Sequence, residues 1–233
     1  MPRASRVHRQ RFLRSVQGRG GYRANAGRKP GRTSPLVPHI RRPKLNRHQA
    51  VHVTLHRCDG LPSLRRPSPR RVVEHALRAE RDNKGFRLVH YAIRGNHLHL
   101  VCEADHREAL SRGIQRLASR IARRLNALAG RGGRFFRDRF HARIISSPRQ
   151  MRNVLSYVLL NEHKDRARQG ELVQGVDPYS SGRYFDGWTN VPPHPPPAEP
   201  PVAPARSWLL RTGWRRHGLL RTTERAPGPV APP

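Results

Sequence analysis

The alternation of apolar and polar positions divides the middle of the chain, residues 46–190, into strands and helices. Strand-like alternation with β-branched residues appears first in Ala50–Leu55. Two further strands flank the tight turn Arg94-Gly95-Asn96 and therefore predict an antiparallel hairpin. The segments predicted as strands are 50–55, 86–93, 97–103 and 135–145.

Apolar residues at helical spacing predict three helices in the same region. The first begins at Ser68-Pro69 and ends near Gly85, since a cap residue followed by proline opens a helix. The second contains the apolar stripe Leu110–Leu128, and the third spans Met151–Asp165. The first six elements follow the order of a split βαβ, ferredoxin-like unit. We therefore expect an α+β fold, an antiparallel sheet with helices on one face and the 97–103 strand at its centre.

The ends of the chain differ in composition from this domain. Residues 1–45 contain 13 Lys and Arg and no acid, which is typical of a flexible basic arm. Residues 191–205 contain eight prolines and predict a stiff linker. The tail, 206–233, has the apolar residues for a short docking helix before a second proline-rich stretch. These limits give four parts, with the domain at 46–190.

The charge of the chain indicates a polyanionic partner. Lys and Arg number 47 against 15 Asp and Glu, so the 233 residues have a formal charge of +32. Nucleic acid is the leading candidate and an acidic membrane surface the second. The two cysteines exclude a disulfide scaffold, and no apolar run is long enough to span a membrane. We expect a cytoplasmic protein, nucleoid-associated in a bacterium; an Arg-rich mitochondrial leader is the alternative.

The triplet His97-Leu98-His99 is the first candidate for chemistry. Alternate residues of a strand share a face, so both imidazoles point to the same side and can reach one divalent ion. One such triplet is expected by chance in a chain with 14 His. The alternative to a metal site is therefore that both histidines are simply polar residues on a half-exposed strand.

The last predicted helix contains the second candidate. Tyr157 and Asn161 are four residues apart and lie together at the edge of its apolar stripe. A tyrosine at such an edge is commonly a packing residue with a solvated hydroxyl, and an asparagine near a helix end is commonly a cap.

Taken together, these residues resemble a known family. Asn96-His97-Leu98-His99-Leu100 on a strand, followed by Tyr157-Val158-Leu159-Leu160-Asn161 on a helix, is similar to the HUH single-tyrosine transposases. Within them the REP-associated tyrosine transposases are most similar, over roughly 46–190. The segments 177–181 and 185–188 resemble the region that follows this domain in those relatives. Gly95 and Glu162 depart from their pattern, since many relatives have proline at both positions.

The resemblance implies a role for each residue of the two motifs. His97 and His99 would be metal ligands, Asn161 would complete the metal site and Tyr157 would be the nucleophile. The implied reaction is attack of Tyr157 on a phosphodiester of single-stranded or hairpin DNA, which forms a 5′-phosphotyrosine and a free 3′-OH. A tyrosine hydroxyl with a pKa near 10 needs an activated phosphate, which a divalent cation provides. Mg²⁺ normally prefers oxygen ligands, whereas imidazole favours Mn²⁺, so either cation fits the implied site.

Arginines on two elements are the expected DNA contacts. Arg137, Arg139 and Arg143 alternate along the 135–145 strand, and Arg116, Arg120 and Arg123 follow the second helix. Alternate cations on one strand favour phosphate contact, and such contacts position DNA without specifying its sequence. Solvated surface charge is the alternative for the helix.

Two other functions fit the same sequence. One is a non-catalytic, Arg-rich nucleic-acid-binding protein, ribosomal or RNA-associated, in which the histidines and Tyr157 are structural. The other is a domesticated relative that binds DNA without cutting it. The sequence leaves the oligomeric state open between a monomer and a homodimer.

Overall fold

The computed structural model describes residues 44–168, 175–191 and 199–224, apart from the side chains at 163–165, 167 and 168. The basic arm up to residue 43 and residues 192–198 of the proline-rich linker lie outside these ranges. The strands are β1 (Ala50–His56), β2 (Asp82–Asn83), β3 (Phe86–Ile93), β4 (His97–Ala104) and β5 (His141–Ile145). The α-helices are α1 (Pro67–Glu80), α2 (Arg107–Leu128), α3 (Pro148–Arg168) and α4 (Trp208–Arg211).

The strands form one antiparallel sheet in the order β2-β3-β4-β1-β5. The strand β4 is central, as the sequence predicts, and the hairpin of β3 and β4 turns at residues 94–96. The register between β1 and β4 places Thr54 opposite His99 and His56 opposite His97. The α+β, ferredoxin-like architecture is therefore confirmed.

Helices pack on both faces of this sheet. The helices α1 and α2 cover the face that contains Val53 and Leu100, as expected for the split βαβ unit. The third helix, α3, packs on the opposite face, where Val158 and Leu159 contact the core around Val101. The expectation of helices on one face is therefore right for α1 and α2 and wrong for α3, because the apolar residues of α3 face the core around Val101. This position brings α3 to the face of β4 that also presents His97 and His99.

The 135–145 segment is shorter as a strand than its sequence pattern predicts. Only His141–Ile145 pairs with β1 as a strand. Before it, the Arg137 amide donates to the His56 carbonyl (2.8 Å) and the Cys58 amide to the Phe135 carbonyl (2.7 Å). Between these parts the chain bends where the Asp138 carboxylate accepts a hydrogen bond from the Arg139 amide. A side chain that bonds its neighbour's amide competes with strand pairing.

Local signals fix the start of α3 but not that of α1. The Ser147 hydroxyl accepts a hydrogen bond from the Gln150 amide (3.3 Å), which is the capping bond expected for this sequence. The α1 helix begins at Pro67, after Arg66, and has no side-chain cap. The expected Ser68 cap is therefore wrong, because Pro67 already supplies the fixed backbone angle of a first helical position.

The described part of the tail packs against α3. Leu209, Leu210, Trp214 and Leu220 are buried with the apolar residues of that helix. The buried Glu103 carboxylate anchors this segment, since it accepts hydrogen bonds from the amides of Arg206 (2.9 Å) and Ser207 (2.7 Å). No helix within the described ranges has the length and apolar character needed to cross a membrane.

Candidate active site

Histidines from two neighbouring strands meet on the α3 face of the sheet. Val51, Val53 and Leu55 of β1 point into the α1–α2 core, so the residues between them face the other way. The antiparallel register then brings His56 beside His97, with ring centroids 4.8 Å apart, and His52 beside His99, at 5.1 Å. The result is a cluster of four imidazoles across β1 and β4.

The rings of His97 and His99 converge through their Nε2 atoms, which lie 2.9 Å apart. When two ligand atoms bind one divalent ion at right angles, each about 2.1 Å from the ion, they lie about 3 Å from each other. The pair therefore has the spacing of two adjacent ligands. Among the described residues, no group of three or more His, Cys, Asp and Glu side chains forms a metal site.

The other ring nitrogens have partners that orient the two imidazoles. His97 Nδ1 lies 2.7 Å from Asn96 Oδ1, which can only accept a hydrogen bond, so Nδ1 donates and Nε2 keeps its lone pair. His99 Nδ1 lies 3.1 Å from His52 Nε2 and 3.4 Å from the Thr54 hydroxyl. Partners of this kind fix the tautomer and the ring orientation of metal-binding histidines.

The surroundings keep these imidazoles neutral. Burial, followed by the electrostatic influence of His56 and Arg94, lowers the pKa of His97 to about 3. Burial and the neighbouring His97 lower the pKa of His99 well below its ordinary value. Burial also lowers the pKa of His52 to about 4, with smaller effects of His141 and Arg143. Near pH 7 the rings are therefore uncharged and can serve as ligands.

Tyr157 lies directly against this cluster. Its ring is edge-on to that of His99, with centroids 5.1 Å apart, and 5.9 Å from that of His52. Tyr157 is half-buried. Asn161, one helical turn further along α3, is only 7% exposed. The structure thus brings the tyrosine of the helix to the histidines of the strand.

An ion-pair cluster fixes α3 just beyond Asn161. The Glu162 carboxylate pairs with Arg94, at 2.7 Å, and with Arg65. Burial alone would raise the pKa of Glu162, but the hydrogen bond and the charge of Arg65, together with Arg94, outweigh it and lower the pKa. Arg94 belongs to the turn before His97, so this cluster ties α3 to the histidine strand.

Comparison with known families agrees with this geometry. Residues 62–161 match the family described as Transposase IS200 like. The match covers 100 of the 233 residues, and the matched segment contains His97, His99, Tyr157 and Asn161.

Two solved structures similar to this chain come from proteins that are named as transposases. A REP-associated tyrosine transposase bound to a REP hairpin matches with a TM-score of 0.48 and 14% identity, over 62% of this chain and 82% of that one. A protein of Deinococcus radiodurans R1 with a provisional transposase name matches with a TM-score of 0.36 and 17% identity, over 61% of this chain and 94% of that one. The search of curated proteins gives no match.

The arginines of the 135–145 segment lie on the side of the sheet that presents the histidines. Arg143 stands opposite His52 in the sheet, and its charge contributes to the lowered pKa of His52. Arg137 lies beside His56 and affects the pKa of His56 in the same direction, after burial. Arg139 is exposed in the bend before β5.

The arginines of α2 are separated from the site by the sheet. The Nε atoms of Arg116 (3.2 Å) and Arg120 (3.0 Å) donate to the carboxylate of Glu80, which is buried between α1 and α2. Arg123 is exposed on α2. Since α2 covers the face opposite to α3, the structure does not bring these three side chains to the histidine cluster. Contact with DNA, as the sequence predicts, and pairing with Glu80 alone are thus two roles that an experiment on Arg120 can separate.

Sequence reasoning missed the contribution of β1. His52, Thr54 and His56 alternate with Val51, Val53 and Leu55, and this pattern alone places two more imidazoles on one face. Which neighbouring strand they meet depends on the sheet order, which the local pattern does not contain. The matched family segment begins at residue 62 and so does not include β1 either.

Proposed function

We propose that this chain is a metal-dependent single-tyrosine DNA strand transferase with Tyr157 as the nucleophile. The observation that supports it most is the edge-on contact of the Tyr157 and His99 rings, at 5.1 Å. A tyrosine that serves only to pack against the core is not explained by a cluster of neutral imidazoles beside it. A tyrosine that attacks phosphate needs activating groups beside it, because its hydroxyl is a poor nucleophile near pH 7.

His97 and His99, together with the Asn161 amide oxygen, would hold Mg²⁺ or Mn²⁺. When bound, such a cation polarises a phosphodiester and offsets charge on its oxygens. The protein keeps the two Nε2 atoms close and uncharged. The Asn96 and His52 contacts keep the rings oriented, so binding requires little rearrangement.

The reaction exchanges one phosphodiester for another. The Tyr157 oxygen forms a bond to phosphorus, the bond from phosphorus to the 3′ oxygen breaks, and that oxygen takes up a proton to become a free 3′-OH. The phenolic proton leaves to solvent. The 5′-phosphotyrosine keeps the energy of the original bond, so a 3′-OH can later displace the tyrosine without a nucleotide cofactor.

Single-stranded or hairpin DNA is the substrate class that we propose. An unpaired strand lets a phosphodiester approach a nucleophile set among helix and sheet side chains. The net charge of +32 favours a polyanion. Arg143 and Arg137, on the side of the sheet that presents the histidines, would bind flanking phosphates.

The test is covalent capture with the whole chain. Wild-type protein and Mn²⁺ are incubated with hairpin-flanked single strands labelled at either end. A 5′-phosphotyrosine retains the 3′ label on the protein and releases the 5′ label with a free 3′-OH. Tyr157→Phe should abolish the adduct and leave the Kd for DNA within a few fold. Tyr184→Phe, a half-buried tyrosine in the opposite core, is the matched control and should form the adduct.

Three outcomes contradict the proposal in different ways. If Tyr157→Phe still becomes linked to DNA, another residue is the nucleophile. If the wild type binds every strand tightly and forms no adduct, the chain binds without cutting. A double variant, His97→Ala with His99→Ala, should bind DNA but form no adduct. If this variant keeps every activity that the wild type shows on nucleic acid, the chain is better explained as a non-catalytic binding protein.

A further inference from the structure

One tryptophan of this chain lies at the surface. Trp208, at the start of α4, is 51% exposed, whereas Trp188 and Trp214 are 8% and 1% exposed. Two other large apolar side chains are exposed in the described residues, Leu128 and Leu219. Trp208 alone among the three presents an aromatic ring.

Packing holds this exposed ring in one position. Gly213 lies so close beneath it that a Cβ at that position would stand 2.7 Å from Cζ3 of Trp208. The guanidinium carbon of Arg216 is 5.0 Å from the ring centroid. The Arg216 guanidinium thus lies over the ring and Gly213 packs against it, while half of the residue stays exposed. An aromatic ring held by its own segment loses little freedom when a flat ligand stacks on it.

The ring lies among positive charges. Residues 206–217 contain four arginines and no acidic residue. A cavity of about 400 Å³ beside Trp208 is also lined by Arg47 and Arg206. The same cavity is lined by three carboxylates, Asp82, Glu103 and Asp105. Asp82 pairs with Arg87 at 2.7 Å, and Glu103 accepts backbone hydrogen bonds from Arg206 and Ser207. The excess of positive charge beside the ring therefore comes from the arginines of residues 206–217 and not from the cavity as a whole.

This place is distinct from the histidine cluster. The cavity lies at the Glu103 end of β4, six residues from His97, which corresponds to about 20 Å along a strand. A flat aromatic surface with guanidinium groups around it matches a nucleobase and its adjoining phosphates. Only an unpaired base offers an open face, since bases inside a duplex are stacked on one another.

We propose that Trp208 is a stacking platform for an unpaired nucleobase of single-stranded DNA, with Arg206 and Arg216 binding the adjoining phosphates. This second contact holds the strand at a distance from Tyr157. Its existence does not depend on cleavage, because binding at Trp208 involves no reacting group.

Fluorescence of the full chain tests this proposal, since Trp208 is the exposed one of three tryptophans. Titration with oligothymidylate should quench the emission, whereas an abasic oligonucleotide of equal length, with phosphates but no bases, should not. Trp208→Ala should weaken oligothymidylate binding about 5- to 100-fold and leave abasic binding unchanged. Trp208→Phe should restore most of the affinity. Arg216→Gln should reduce the salt slope of binding by about one.

Three results would overturn the proposal. One is equal quenching by the abasic and base-bearing strands, which would mean that the DNA binds by charge alone and that no base stacks on the ring. Another is a blunt duplex that binds at Trp208 as tightly as the single strand. The third is an Ala variant with native circular dichroism and unchanged affinity for oligothymidylate. Adduct formation at Tyr157 is measured separately, so either proposal can fail without the other.

Discussion

The Nε2 atoms of His97 and His99 lie 2.9 Å apart on the central strand of the sheet. Two uncharged nitrogens this close are stabilised by a shared proton or a shared cation. The distance agrees with the spacing of about 3 Å for adjacent ligands of one divalent ion. The neighbouring strand β1 supports this arrangement, since His52 bonds the far side of the His99 ring.

Metal binding without DNA should depend on this pair and on His52. We expect His97→Ala and His99→Ala each to abolish binding of Mn²⁺, measured by electron paramagnetic resonance or calorimetry on the purified chain. His52→Gln should weaken binding by about 10- to 100-fold, because it removes the partner that orients His99. His48→Gln, an exposed residue before β1, is the matched control. Unchanged Mn²⁺ affinity in His52→Gln would show that His52 does not orient the ligand.

Glu162 should stabilise the fold more than a surface carboxylate does. Its side chain is 14% exposed and pairs with Arg94, 8% exposed, and Arg65, 19% exposed. Glu162→Gln removes the carboxylate that two largely buried guanidinium groups share, although Arg65 keeps Asp177 at 3.6 Å. We expect a loss on the order of 2–3 kcal/mol in the free energy of unfolding.

Urea unfolding measures this loss, with Glu74→Gln as the control. Glu74 pairs with Arg70 on the more exposed surface of α1, so its loss should cost only about 0.3–0.5 kcal/mol. Equal effects of the two substitutions would contradict a special role of Glu162. Because the Glu162 pKa is lowered in the fold, its stabilisation is present above the ordinary carboxyl pKa and is lost as the pH falls through the lowered value.

The two arginine sets should separate DNA affinity from stability. Arg143 faces the histidine side of the sheet, so Arg143→Gln should weaken binding of single-stranded DNA and lower the salt slope by about one. Arg120 binds the buried Glu80 on the other face. Arg120→Gln should therefore leave the salt slope unchanged and lower the unfolding free energy. Binding titrations at several salt concentrations decide this, and a lower slope in Arg120→Gln would place DNA on both faces.

The pH dependence of stability should include a contribution from His90. This imidazole is buried between Ser181 and Phe185, and burial lowers its pKa to about 4. The unfolded chain takes up a proton near pH 6.5 and the fold does not, so this stabilisation is complete above pH 6.5 and is lost as the pH falls from there towards 4.

His90→Gln should reduce the slope of unfolding free energy against pH in that window by up to about 1.4 kcal/mol per pH unit. Urea unfolding at several pH values measures it. His75→Gln, on the exposed side of α1, controls for the loss of one imidazole. An unchanged slope in His90→Gln would mean that His90 takes up its proton in the folded chain as readily as in the unfolded one.

The sequence by itself determined much of the fold. The strands that flank the turn at 94–96, and the apolar stripe of Leu110–Leu128, depend on neighbours a few residues apart, so the β4 strand and α2 could be predicted. The pairing of His97 with His99 is of this local kind as well, because strand geometry alone puts both on one face.

Only the tertiary structure decided which elements meet at the site. The sheet order places β1 beside β4, and so adds His52 and His56 to the cluster. The face on which α3 packs decides that Tyr157 reaches His99, and the Glu80 ion pairs separate the α2 arginines from it. These contacts join residues far apart in the chain, and their free energy comes from burial and charge pairing across the sheet, which no local pattern of residues records.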